Sequence, residues 1–401
     1  MLTWILMEKI LIIGAFDRYN YGDLLFPLII EKQLNTYGKE FEYRFFGLIA
    51  SDLSKEGGLP TENLQAFYQA CQNPKDQVHV IIAGGEALGV TWHALLAAIH
   101  KNYQKIHRYH IRISKILDLN KIAKKVLKGK TTLPFVFTKS DFPGVKSVIL
   151  NSLGGSGLKK SHFEKYGFLK EKLNQADYFA VRDKTTITNL TENGVHAQLF
   201  PDSAILMSAF YPLAWLEKMV TPAVRDYADE NKGNYVFFQI NKKTTTGKHD
   251  LIAAELDVIY QNEKTEICLC PIGKALNHDD HLALASVKQR MNSPAVYFDA
   301  DNIWDIMYLI ANSKCYIGTS LHGAITALSY AVPHVGLKVE KLEAYLRTWG
   351  AEGNDFAVDF NEIHSQFLAA TAISKSVYEE KRDLQLTAIR KGFDQMVNVF
   401  Q

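Results

Sequence analysis

In the run Cys315–Lys338, CYIGTSLHGAITALSYAVPHVGLK, a Gly-Thr-Ser turn leads directly into Leu321, His322 and Gly323. Cys315–Ile317 reads as a short buried strand and 321–330 as a helix, with Ser320 or Thr319 placed to cap it. The first turn of a helix offers unpaired N–H donors and the positive end of the dipole, so it attracts anions. Backbone groups from Leu321 to Gly323 are therefore candidate anion ligands, and His322 can hand a proton to whatever docks there. A histidine in a helix's first turn is also a common packing residue. The glycine, the two hydroxyls and the helix start around His322 favour chemistry.

Other residues at strand ends could join it. Asp23, in Tyr19-Asn20-Tyr21-Gly22-Asp23, can cap the next helix or face a cleft. Arg182-Asp183 follows a buried strand, where a guanidinium can fork onto a phosphate or carboxylate, or can tie strand to helix. Asp202 is a turn residue, a cap or a proton acceptor. Gly84-Gly85-Glu86 and Gly154-Gly155-Ser156-Gly157 end two more strands and let a ligand or a helix approach the backbone. Their convergence on one sheet edge is what suggests a binding site. No GxGxxG or GxxxxGK[ST] occurs, which disfavours dinucleotide and P-loop sites. His278-Asp279-Asp280-His281 has the composition of a metal cluster, but such a loop is better explained by local hydrogen bonding, and no metal is expected.

The elements that must hold these residues alternate. Apolar strands at about 9–14, 43–47, 78–83, 146–152 and 178–181 are each followed by a turn and, mostly, a helix, the first of these helices from Leu24 to Tyr37. After Pro201-Asp202 the pattern restarts with strands near 235–240, 266–269, 295–298 and 315–317. Such alternation predicts an α/β chain of two Rossmann-like domains with parallel sheets facing a central cleft. The expected division is 1–200, 201–375 and a C-terminal helix over 376–401 that packs back on the N-terminal domain. Composition agrees, since 47% hydrophobic and 22% charged residues suffice for two full cores.

A net charge of +2 gives no field for nucleic acid, but the charge is uneven. His100–Lys146 holds twelve Lys/Arg, three His and only two acids, and reads as an insertion between strands. Its middle, 109–127, predicts one basic amphipathic helix, either a solvated face or a peripheral contact with anionic lipid. Cys71, Cys268, Cys270 and Cys315 show no ligand spacing and are expected as buried free thiols. The apolar start is interrupted by Glu8 and Lys9 and reads as a first strand rather than a signal peptide. With no run long enough to span a bilayer, the expected location is cytoplasmic, with the inner membrane face as the option for the insertion.

Taken in order, GAFDRYNYGD, IIAGGEALG, NSLGGSG, YFAVRDKTTITNLTENGV, LFPDSAIL, CLCPIGKALNHDDH and IANSKCYIGTSLHGAITALSYAVPHVGL resemble the polysaccharide pyruvyl transferase family. The resemblance implies a GT-B-like fold with an acceptor-side N-terminal domain and a donor-binding C-terminal one. It implies transfer of the pyruvyl group of phosphoenolpyruvate, as co-substrate and with no cofactor, to a sugar of a cell-surface polysaccharide or its lipid-linked precursor. It places the family's histidine on His322 and its arginine on Arg182, both toward the donor. Ser320, Leu321, Gly323, Lys338, Gly84, Gly85, Gly154 and Gly155 complete the expected donor site, with Asp23 and Asp202 as candidates for taking a hydroxyl proton. At Gln239-Ile240-Asn241 many members place an arginine, and Lys242, Lys338 or Lys341 could stand in. Two other classes fit the same cleft: a glycosyltransferase using a nucleotide sugar and a non-catalytic glycan-binding protein.

Overall fold

The computed structural model describes residues 7–107, 109–113, 117–274, 279–300 and 302–400. The strands are β1 (Glu8–Ile13), β2 (Phe41–Phe46), β3 (Ser51–Asp52), β4 (Pro60–Thr61), β5 (Val78–Ala83), β6 (Val145–Leu153), β7 (Tyr178–Val181) and β8 (Gln198–Leu199) in the first half. The second half supplies β9 (Tyr235–Gln239), β10 (Glu266–Leu269), β11 (Val296–Tyr297), β12 (Cys315–Gly318), β13 (His334–Leu337) and β14 (Ala357–Val358). They build two six-stranded sheets in the orders β2-β1-β5-β6-β7-β8 and β11-β10-β9-β12-β13-β14, with β3 and β4 as a small separate hairpin. Every pairing within the two large sheets is parallel. β5, VHVIIA, is buried at all six positions, as a strand covered by helices on both faces must be.

Each order reverses once. The chain steps from β1 to β2 and then back across to β5, and from β9 through β10 to β11 and then back to β12. Ligand crevices of open parallel sheets form at the carboxyl ends of the strands flanking such a reversal. Here those ends carry Gly14-Ala15 and Gly84-Gly85 from one sheet, and Gln239–Asn241 and Thr319-Ser320 from the other.

The two halves do not meet only across a polar cleft. One apolar cluster runs from Ile10 and Ile12 of β1 through Phe26 and Ile29, past Ile205 and Leu206, to Ile325, Leu328 and Phe393. Tyr21, in the helix Tyr21–Asn35, hydrogen-bonds through its hydroxyl to Thr326 Oγ1 at 2.7 Å, in the helix Leu321–Ser329. The last long helix, Lys375–Val397, lies on residues of the first half: Tyr178 donates to the Gly392 carbonyl at 2.9 Å and Tyr37 to Asp394 Oδ1 at 2.6 Å.

Two expectations need correction. The first helix starts at Tyr21 rather than Leu24, so Asp23 lies in its first turn and caps nothing. Asn20 occupies the capping position and donates through Nδ2 to Asp23 Oδ2 at 2.6 Å. The basic insertion is not one helix but Lys101–His107, His110–Ile113 and Leu119–Val126. Asp118 makes the last break, because its Oδ1 accepts from the Lys121 N–H at 3.0 Å and starts a new helix there. Residues 114–116 of the insertion and His278 of the HDDH loop lie outside the described residues. All four cysteines are buried and free.

Candidate active site

The two strand-end clusters face each other across a cavity of about 530 Å³. On one wall, the start of the His322 helix is held by a chain of hydrogen bonds. Ser320 Oγ accepts from the Gly323 N–H at 3.3 Å, and the Ser320 N–H donates to Gln239 Oε1 at 2.9 Å. Gln239 Nε2 in turn donates to Asp280 Oδ2 at 2.7 Å, which also accepts from the Gly273 N–H at 2.9 Å. Gln239 thus ties the end of β9 to the helix start. Asp280 is engaged in that lock, and among the described residues no cluster of His, Cys, Asp and Glu could hold a metal.

His322 is nearly buried and gripped from the opposite half. The first helix comes so close at Gly22 that an added Cβ would lie 1.8 Å from His322 Nδ1. The Phe26 ring meets the imidazole edge-on, with centroids 5.3 Å apart. His322 Nε2 has no hydrogen-bond partner among the described residues and points at Asp202 Oδ2, 3.8 Å away. Gly22→Ala inverts the usual rule. In an ordinary helix the change stabilises by about 1 kcal/mol. Here the methyl must displace the imidazole, so urea unfolding should show a loss of about 1–3 kcal/mol.

Asp202 and Arg182 form the floor beneath this ring. Arg182 is 2% exposed; Nη1 donates to Asp202 Oδ2 at 2.8 Å and Nη2 to Glu86 Oε1 at 2.9 Å. Burial alone would raise the Asp202 carboxyl, but His322 and Arg182 hold it below the usual carboxylate range. Both residues are engaged within the protein. Arg182 borders the cavity with its charge already spent on two carboxylates, and is no open cation for a donor. Asp202 is fully buried, accepts from the Ala204 N–H at 3.0 Å and does not line the cavity.

Of the other expected residues, Asp23, Ser320, Gly84 and Gly85 line the cavity. Gly84 and Gly85 adopt φ of 76° and 67°, the left-handed region that glycine enters freely. Gly154 and Gly155 do not line it. A Cβ on Gly154 would lie 2.2 Å from Glu86 Oε1, so this glycine makes room for the Glu86–Arg182 pair, while the Gly155 N–H goes to Thr186 Oγ1 at 3.0 Å. Leu321 is core, and Gly323 packs on Tyr316, where a Cβ would come within 2.4 Å of the hydroxyl. Lys338 points away and pairs with Asp359 at 3.1 Å.

Two groups gain importance. Glu86 reaches the cavity directly after the glycine pair, its carboxylate also accepting from Ser156 Oγ at 3.4 Å. Lys341, in the second position of the helix Glu340–Trp349, enters the same cavity. No hydrogen bond or ion pair engages it among the described residues. Burial pushes the Lys341 amine below its ordinary value and Arg182 adds to this, while Glu86, Asp23 and Asp280 oppose it. A half-buried cation facing an open chamber is a ready anion ligand.

The model of the family described as polysaccharide pyruvyl transferase matches residues 20–340, which contain the lining of this cavity from Asn20 to Val339 but not Gly14, Ala15 or Lys341. The chain belongs to the polysaccharide pyruvyl transferase family. No curated protein matches its sequence. Among solved structures, this pyruvyl transferase family member is similar to a UDP-GlcNAc 2-epimerase of Methanocaldococcus jannaschii in complex with UDP-GlcNAc and UDP (TM-score 0.52, 13% identity, covering 95% of this chain and 100% of that one). It is similar also to UDP-N-acetylglucosamine 2-epimerase from Rickettsia bellii (TM-score 0.54, 10% identity, 96% of each chain) and to Anabaena Alr3699/HepE in complex with UDP-glucose (TM-score 0.50, 13% identity, 98% of each chain). At such identity the likeness establishes the GT-B-like fold alone.

Proposed function

We propose that this family member transfers the pyruvyl group of phosphoenolpyruvate to two hydroxyls of one sugar, in a cell-surface polysaccharide or its lipid-linked precursor. The observation that carries this reading is His322 in a helix's first turn, sharing one cavity with Lys341 and Asp23.

The chemistry assigns each a task. A proton added to the methylene carbon of phosphoenolpyruvate leaves a cation at C2, stabilised by the enol oxygen. One sugar hydroxyl forms a C–O bond to C2 as Asp23 takes its proton. The C2–O bond to phosphate then breaks, and the second hydroxyl closes the ketal, its proton leaving with phosphate. The His322 imidazole supplies the first proton and recovers it from Asp23 through the bound groups. Its Nε2 is turned toward Asp202, which orients the ring. Lys341 and the Leu321 and His322 N–H groups at the start of the helix hold phosphate and carboxylate, no metal or cofactor being required by these roles.

Lys341→Ala should raise KM for phosphoenolpyruvate about tenfold to a hundredfold, the worth of one charge-assisted hydrogen bond, with kcat changing much less. The reading as a whole is tested by phosphate release from phosphoenolpyruvate against a panel of free and lipid-linked glycans, with the pyruvylated sugar identified by mass. Glycan-dependent release supports it. No release with any acceptor, or consumption of a UDP-sugar instead, overturns it. The second outcome would favour a nucleotide-sugar glycosyltransferase, in keeping with the UDP-bound fold neighbours.

A further inference from the structure

We propose that the basic insertion seats the first half of the chain on an anionic lipid surface. Among the described residues no helix is long and apolar enough to cross a membrane, so the contact is peripheral. The helix Leu119–Val126 carries the argument. Leu119 and Ala123, one turn apart, are buried where this helix packs on the helix Trp92–Ile99. The neighbouring stripe is not polar. Ile122 and Val126 are 42% and 59% exposed, and Leu117, just before the helix, is 50% exposed. Lys121, Lys125 and Lys128 stand exposed among them. The one acid at this end, Asp118, is occupied as the helix cap.

A solvated helix face is mostly polar. Branched apolar side chains interleaved with lysines suit a different boundary, where cations meet headgroup phosphates and apolar groups enter the acyl edge. Beside the helix lies a cavity of about 650 Å³ lined by His110, Lys121, Lys124 and Lys165 together with the capping Asp118, with room for a headgroup phosphate. A second copy of the chain is a poor occupant, because two such faces repel. Phe135, also within the insertion, lines the central cavity. A docked insertion therefore brings that cavity near the surface on which a lipid-linked sugar lies. This last point rests on the proposed function; the lipid contact does not.

The test is co-sedimentation of the full chain with vesicles of phosphatidylcholine alone and with added phosphatidylglycerol, at low and high salt. Binding is expected only with phosphatidylglycerol and should fall as salt rises. Lys121→Gln/Lys125→Gln/Lys128→Gln should weaken it by roughly a hundredfold, and Leu117→Ser/Ile122→Ser/Val126→Ser by at least about tenfold. Unchanged urea midpoints would show that both variants are folded. The proposal is overturned by equal or absent binding to the two vesicle types, or by both folded variants binding like the wild type. Pelleting without vesicles, the sign of self-association, would also overturn it. None of these outcomes depends on whether phosphoenolpyruvate is the donor.

Discussion

With His322→Ala, glycan-dependent phosphate release from phosphoenolpyruvate falls by about a thousandfold in kcat, within the usual worth of a general acid. The KM for phosphoenolpyruvate should change little, because the proposed roles assign the anion to Lys341 and the helix start rather than to the ring. His322→Gln keeps much of the volume between Gly22 and Phe26 but cannot exchange a proton, and should be equally slow. Steady-state phosphate assays on both variants decide the matter. If either retains activity within tenfold of the wild type, the ring does not carry the proton. The side chain would then be a packing element between the halves, as its burial alone would allow.

The second large effect is on stability. Asp202→Asn should cost about 3–5 kcal/mol in urea unfolding, because it leaves Arg182 buried with one of its two carboxylates gone. The pH dependence has a definite sign. The Asp202 carboxyl is lowered in the folded chain, so at a given acid pH the unfolded chain binds more protons there. Its contribution is complete above the ordinary carboxylate range and is lost as pH falls through the lower, folded value. The gap between wild type and Asp202→Asn is thus widest at neutral pH and narrows in acid. A difference under about 1 kcal/mol at neutral pH would mean that the pair merely repays its desolvation.

Much of the architecture could be read from the residues. Continuous apolar strands such as VHVIIA, each ending in glycine or a charged turn, announce parallel strands at once, and the restart after Pro201-Asp202 announces the second sheet. His322, Ser320, Asp23 and the Gly84-Gly85 turn were legible for the same reason: they sit at strand ends, where topology alone delivers them to one edge. What could not be read was the state of each charge. Nothing local to Arg182 reveals that Glu86 and Asp202, 96 and 20 residues away, neutralise it. Lys341 and Lys338 look alike in sequence, yet one enters the cavity and the other pairs with Asp359 on the outside. Gly154 and Gly323 look like ligand-approach glycines, but they give way to Glu86 and to Tyr316. Long-range pairing decides such cases, and a single sequence does not contain it.

The apolar cluster that passes from β1 through the first helix into the His322 helix bears on how a substrate gets in. Two sheets joined only by a tether can part like jaws and close on a ligand. Parting these would uncover Tyr21, Phe26, Ile325 and Leu328 together, at roughly 1.5–3 kcal/mol for each large side chain, and would pull Gly22 off the imidazole. The chamber therefore behaves as a lock cut before the key arrives. Discrimination between ligands then falls to the walls rather than to a closing motion.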